Sequence, residues 1–257
     1  MADVAPDLAR PQGRYGVDGD YRLIPAAVVF ACYALLCLTA GGLAAGWLAS
    51  GHTAAGLTAA VVALALIAQG LGVARFSRRG KFEVWARLLT DVGLRGDERV
   101  LDLGCGRGAV LLAAAKLIPR GRAVGVDIWR ADQTGNSMDA TLANAEAEGV
   151  ADRIELHARD MTDLQFPDGS FDLVVSSLAI HNLPGNPARL SAIDEAVRVL
   201  QPGGRIVIAD IGFTRLYARR LRELGMADVK RRDLGWRAWW GLPLIRTHAV
   251  SATKPVT

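Results

Sequence analysis

Val100-Leu-Asp-Leu-Gly104-Cys-Gly106-Arg-Gly108 reads as a short apolar strand running into three alternate glycines, with a helical pattern over Ala109–Leu117 that ends before Pro119. Glycines at such a junction let the backbone bend sharply and let a ligand approach with no Cβ in the way. Outward from this loop, strands are expected at Arg99–Leu103 and over residues 123–128, 153–157, 171–176 and 205–210. Helices are expected over 82–92, 139–148, 187–200 and 214–224, stopped in turn by features such as Gly93, Gly149 and Pro202-Gly203-Gly204. Two weaker strands fill the last thirty residues. Strands alternating with helices predict an α/β fold, a mostly parallel sheet with helices on both faces. Ligands of such sheets bind at the carboxyl ends of the strands.

Asp127 closes the second strand in Gly-Val-Asp-Ile, 21 residues after Gly106. A carboxylate there can accept both ribose hydroxyls of a bound nucleoside. NAD and S-adenosylmethionine both fit that pairing, and the charge decides between them. The dinucleotide pattern is GxGxxG with a pyrophosphate on the helix N-terminus. This loop is GxGxG preceded by Asp102, a carboxylate that would repel a pyrophosphate and attract an ammonium or sulfonium.

The stretches VLDLGCGRG, GVDIW, ARDMTDLQFPDGSFDLVVSSLAIHNL and EAVRVLQPGGRIVIAD together resemble class I S-adenosylmethionine-dependent methyltransferases, most closely the broad group that includes the ubiquinone and menaquinone C-methyltransferases. The likeness covers residues 82–211 well and is specific for fold and cofactor but not for the methyl acceptor. It implies a Rossmann-like sheet of seven strands and a set of cofactor contacts. Asp102, Gly104, Cys105, Gly106 and Gly108 would surround the methionine part, Asp127 the ribose, and Ile128 the adenine. Asp160 would take the adenine amino group beside Met161, and Ser176 and Ser177 would lie opposite the methyl group. One departure stands out. After Asp127 the chain inserts residues 129–137 before its next helix, for which Asn136 or Ser137 is the N-cap candidate. Whether that insert borders a pocket or lies in solvent is open from sequence.

Outside this region the composition changes. The chain has 257 residues, of which 51% are hydrophobic and 22% charged, and a mean hydropathy of +0.21. Such values exclude a disordered chain and a wholly membrane-embedded one. Yet residues 23–74 contain no Asp, Glu, Lys or Arg. The run divides at Ala49-Ser-Gly-His-Thr53 into halves, 23–48 and 54–74, each long enough to cross a hydrocarbon core of about 30 Å. A transmembrane hairpin is therefore expected at 23–74, between an N-terminal tail, 1–22, and a methyltransferase domain, 75–257. The tail mixes Asp3, Asp7, Asp18 and Asp20 with three arginines, unlike a signal peptide. Arg75, Arg78, Arg79 and Lys81 form a basic collar after the second half, while the turn holds no basic residue, so tail and domain are expected in the cytoplasm. Gly42 and Gly46 make a GxxxG step that serves packing within the hairpin or a homodimer.

The three cysteines, Cys32, Cys37 and Cys105, form no disulfide framework and no metal spacing. The net charge of +4 is modest and the arginines at 219, 220 and 222 share one helix face, so nucleic acid is not an expected partner. His181, just after the fourth strand, is the candidate general base for an acceptor with an ionisable proton. A membrane anchor suits a small lipophilic acceptor such as a quinone, an isoprenoid or a phospholipid headgroup, with membrane lipids as neighbours. Trp236, Trp239 and Trp240, preceded by Lys230-Arg-Arg232, suit either a bilayer interface or a connection between strands. Two other readings stay in play: a catalytically silent membrane scaffold, and a nicotinamide-dependent oxidoreductase.

Overall fold

The computed structural model describes residues 7–241 and 245–256. Its sheet has seven strands: β1 (Arg99–Leu103), β2 (Arg122–Asp127), β3 (Ile154–Ala158), β4 (Phe171–Ser177), β5 (Leu200–Asp210), β6 (Ala227–Asp233) and β7 (His248–Thr253). They lie in the order β3-β2-β1-β4-β5-β7-β6, and only β7 runs antiparallel to its neighbours. The order reverses between β1 and β4, which opens a crevice above their carboxyl ends. This is the expected Rossmann-like class. One boundary differs: β5 begins at Leu200 rather than after Gly204, because Leu200 pairs with Phe171 and a register shift lets the Pro-Gly-Gly segment bulge without ending the strand.

Period-two alternation sorts the strand residues between two cores. Val100, Ala123, Leu173, Val175 and Val207 face α3 (Lys81–Val92) and α4 (Ala109–Leu117). Leu101, Val124, Val174, Ile206 and Ile208 face α6 (Gly185–Val199) and α7 (Thr214–Glu223). A fifth helix of the domain, α5 (Met138–Ala147), is capped by Ser137, whose Oγ accepts from Ala140 N at 3.1 Å.

The uncharged region folds as two helices, α1 (Ala26–Ala49) and α2 (Thr53–Arg75), joined by a tight turn. Small residues make their contact: Ala44, Gly56, Ala59 and Ala63 are the buried ones. A Cβ added to Gly56 would strike Leu48, whereas one added to Gly42 or Gly46 would meet nothing. The GxxxG step thus faces away from α2. Both helices are long and apolar enough to cross a membrane, and 0% and 6% of their most apolar windows are buried. A core helix of a water-soluble protein would be mostly covered, whereas many Leu, Val, Ile and Phe side chains of this pair are exposed. Their character is compatible with membrane anchoring.

α2 does not stop at the domain. It runs through a π-helical turn, Phe76–Gly80, into α3, so Thr53–Val92 is one 40-residue helix. The N-terminal tail also differs from expectation, since it packs on the domain from Asp7 onward. Leu8 and Tyr15 are buried in the α3–α4 core, with Tyr15 edge-on to Phe82 at 5.0 Å. Glu148 fastens the segment by accepting from Gln12 N, Gly13 N and the Tyr15 hydroxyl, while Lys116 neutralises it at 2.5 Å. Burial alone would raise the Glu148 pKa, but Lys116 and these donors outweigh it and hold the carboxyl below its usual range. No contact of this kind shows in hydropathy, because the tail residues pair with residues such as Phe82 and Glu148, far away along the chain.

Candidate active site

A cavity of about 260 Å³ lies above the carboxyl ends of β1, β2 and β4. Gly104 and Gly106 adopt φ values of +72° and +51° at its floor. The close approach at Gly104 is severe: a Cβ there would sit 2.3 Å from Ala179 Cβ. Gly106 N donates to Asp127 Oδ2 at 2.7 Å and Trp129 N to Asp127 Oδ1 at 2.5 Å, so the carboxylate is aimed at the loop and keeps further lone pairs for a ligand. Burial pushes the Asp127 pKa up.

Asp102 is buried in the cavity wall with one oxygen unsatisfied. It is 1% exposed, its Oδ1 has no hydrogen-bond partner, and burial pushes its pKa up to about 8. A buried carboxyl without a partner is costly, and a cationic ligand would relieve it. S-adenosylmethionine fits on this observation: its ammonium supplies the missing charge, the Gly104 cradle takes backbone-close atoms, and Asp127 suits a ribose.

Of the sequence-predicted residues, Asp102, Gly104, Cys105, Gly106, Asp127, Ile128, Asp160, Met161, Ser177 and His181 all line the cavity. Two do not. Gly108 stands at the N-cap of α4 with φ +86°, where a Cβ would press on Leu112 and Thr141, so it serves the helix start. Ser176 is 1% exposed and donates to Leu103 O at 2.9 Å, because alternation along β4 turns it into the sheet and presents Ser177 instead. Ser177 accepts from Trp85 Nε1 at 2.9 Å. Asp160 lies at the rim with one oxygen committed, since Oδ1 accepts from both the amide and the hydroxyl of Thr162. The Cys105 thiol is buried and pushed well up in pKa, which suits a packing role rather than a nucleophile.

The wall contains residues that no motif announced. Residues 129–137 and the tail pair over the cavity: Thr134 N donates to Val17 O, Gly19 N to Asp132 O and Tyr21 N to Ala131 O. Gln133 Nε2 donates to Tyr15 O and to Asp18 Oδ1, and Lys81 meets Asp18 at 3.0 Å while only 5% exposed. Lys81 therefore belongs to the site rather than to the basic collar. Asp132, pushed up to about 6 by burial and by Asp127, lies in the same wall. The only signal available beforehand was the unexpected length of the insert.

On the far side, His181 sits in a short turn over Ile180–Asn182. Its backbone N donates to Asp210 Oδ2 at 3.1 Å, and its Nδ1 lies 2.6 Å from Asp210 Oδ1, out of line for a ring N–H hydrogen bond. Asp210 is fully buried and also accepts from Tyr217 and from Ile211 N. Trp240 completes this side of the wall, and its carbonyl accepts from Gln69 of α2 at 3.3 Å.

Known proteins resemble this chain in sequence and in fold. Residues 101–208 match the family model of a methyltransferase domain. A demethylmenaquinone methyltransferase of Symbiobacterium thermophilum is 31% identical over 179 residues, spanning 68% of this chain and 63% of its own length. A ubiquinone/menaquinone biosynthesis C-methyltransferase of Dinoroseobacter shibae is 33% identical, spanning 51% of this chain and 50% of its own. The chain thus spans less than two thirds of either relative. Among solved structures, the geranyl diphosphate C-methyltransferase of Streptomyces coelicolor, with S-adenosyl-L-homocysteine bound, superposes with a TM-score of 0.53 over 67% of this chain and 76% of that one, at 18% identity. The cyclase SpnF superposes with a TM-score of 0.56 over 67% of this chain and 82% of that one, at 19% identity, so the architecture serves more than one reaction. Family match, motif order and site together show that the chain carries a methyltransferase domain of the S-adenosylmethionine-dependent class.

Proposed function

We propose that the protein is a membrane-anchored methyltransferase that moves the methyl group of S-adenosylmethionine to a small lipophilic acceptor. One observation carries the lipophilic part: the cavity that holds the cofactor constellation is also walled by Arg22, Lys81 and Trp240, which stand just before α1, directly after the π turn that follows α2, and against Gln69 of α2. An acceptor dissolved in the bilayer would then meet the site at its membrane side. The names of the relatives, a demethylmenaquinone and a ubiquinone/menaquinone methyltransferase, support the same acceptor class. The basic residues after α2 and the uncharged turn favour a cytoplasmic domain and tail, and the open Gly42–Gly46 face is where a second copy would pack.

When bound, the cofactor supplies an electrophilic methyl on a sulfonium. Asp102 holds its positive end, the glycine floor admits its backbone-close atoms, and Asp127 orients the ribose. The paired insert and tail exclude water above it, and orientation of this kind supplies about 7–11 kcal/mol. Asp210 holds the turn through the His181 backbone N and lies 2.6 Å from Nδ1, and Nε2 would take a proton from an acceptor hydroxyl or acidic carbon. Its buried charge then compensates the imidazolium. Incubating the full chain with labelled S-adenosylmethionine and a membrane extract tests the proposal. Label should appear in the lipid fraction. Label only in water-soluble metabolites overturns the acceptor class, no label at all favours the silent scaffold, and stabilisation by NAD but not by S-adenosylhomocysteine favours the oxidoreductase.

A further inference from the structure

The long helix Thr53–Val92 leaves α-helical hydrogen bonding at one place, the π turn Phe76–Gly80. Such a turn carries an extra residue and recurs at functional sites. This one follows the apolar stretch of α2 directly and carries Ser77, Arg78 and Arg79. Opposite it runs the tail segment 9–17, and between them lies a second cavity, of about 480 Å³.

Its walls hold Arg10, Arg78 and Arg79 and no carboxylate. Arg10 is tied to Asp7 at 3.3 Å, whereas Arg78 and Arg79 are exposed and enter no ion pair or hydrogen bond among the described residues. Ser77 is 1% exposed, lines the same cavity, and its Oγ has no partner. A buried hydroxyl left unsatisfied costs about 1–3 kcal/mol, so the site lacks an acceptor as well as a negative charge. A phosphate provides both: oxygens for two guanidinium forks and one for the Ser77 hydroxyl.

We propose that this cavity binds the phosphate of an anionic membrane lipid. The lipid source follows from position, because the three residues begin two residues beyond Arg75, the end of α2, at the depth of headgroups once the hairpin is inserted. In that respect the proposal rests on the membrane-anchored reading. The acyl chains would lie along the exposed apolar face of the hairpin, and the headgroup would tie the π turn to the tail.

The test uses the full chain in neutral detergent, titrated with short-chain phosphatidylglycerol, short-chain phosphatidylcholine or inorganic phosphate, with binding read by native mass spectrometry. Phosphatidylglycerol should bind saturably, and phosphatidylcholine and inorganic phosphate at least tenfold more weakly. Arg78→Gln with Arg79→Gln should weaken phosphatidylglycerol by about 30-fold, at roughly fivefold per basic residue. Ser77→Ala should weaken it a few-fold, and both variants should melt like the parent without lipid. Equal binding of phosphatidylcholine, or an unchanged double variant, overturns the site. Inorganic phosphate binding as tightly as phosphatidylglycerol overturns the lipid assignment. Alkaline carbonate extraction of native membranes separates the two failures: release of the chain sinks the anchor, whereas a retained chain indifferent to phosphatidylglycerol sinks only the pocket.

Discussion

One segment of about fifteen residues divides two cavities of different charge balance. Residues 18–22 wall a cavity in which Asp18, Asp20, Asp102, Asp127, Asp132 and Asp160 stand among Arg22, Lys81, Arg107, Arg130 and Arg159, while residues 9–17 wall one containing Arg10, Arg78 and Arg79 and no acid. The difference teaches how a small domain separates its ligands by charge. Carboxylates that are buried and incompletely paired, Asp102 above all, stand ready for a cation. Guanidiniums beside an orphaned hydroxyl stand ready for an anion. Each site keeps an unfavourable group that the right ligand would relieve, so each discriminates by what it lacks.

The comparison breaks most decisively at Asp127. Asp127→Ala should reduce S-adenosylhomocysteine affinity below detection by calorimetry, and normal binding would remove this carboxylate from the cofactor site. His181→Ala should lower turnover by about 10²–10⁴-fold with cofactor affinity within threefold of the parent. Equal loss of both would show that His181 serves structure rather than proton transfer. The shared wall can be attacked at Tyr15, since Tyr15→Ala empties a core position and frees Glu148. It should cost about 3 kcal/mol in denaturant unfolding, and a loss under 0.5 kcal/mol (about what a surface change costs) would mean that the tail is not part of the folded domain.

The smallest effect concerns pH. Burial raises Asp102 to about 8 in the free domain, and a cationic cofactor favours its ionised form, so binding releases a proton. Affinity should therefore rise as pH approaches 8 and fall again above it, where the cofactor's own α-ammonium, with an ordinary pKa of about 7.7–8.0, loses its proton. By the same sign, the ligand-free domain loses stability as pH climbs from the ordinary carboxyl range toward 8, because folding holds this proton. Asp102→Asn should remove the rising limb of the affinity profile and flatten the stability profile. A parent profile already flat would mean that Asp102 is paired by something other than the cofactor.

Much of this was legible in the chain itself. The glycine loop, the period-two strands and the helix stops specify the sheet because each depends on neighbours within a few residues, and β1, α4 and β4 begin where the pattern says. Asp102, Asp127 and His181 were legible for the same reason, as they lie at or just beyond the carboxyl ends of strands whose direction the α/β alternation already implies. The uncharged run at 23–74 was equally plain, since hydropathy is a local property. What only the tertiary structure decided are the pairings across distance. It joined residues 131–134 to residues 17–21, removed Lys81 from the collar to Asp18, turned Ser176 inward and Ser177 outward, and set Asp210 against His181. It also made α2 and α3 one helix through a π turn that no residue pattern marks. Local sequence reports how a segment will fold. Which distant segment will satisfy its buried polar groups is settled when packing excludes water and leaves each carboxylate only the partners within reach.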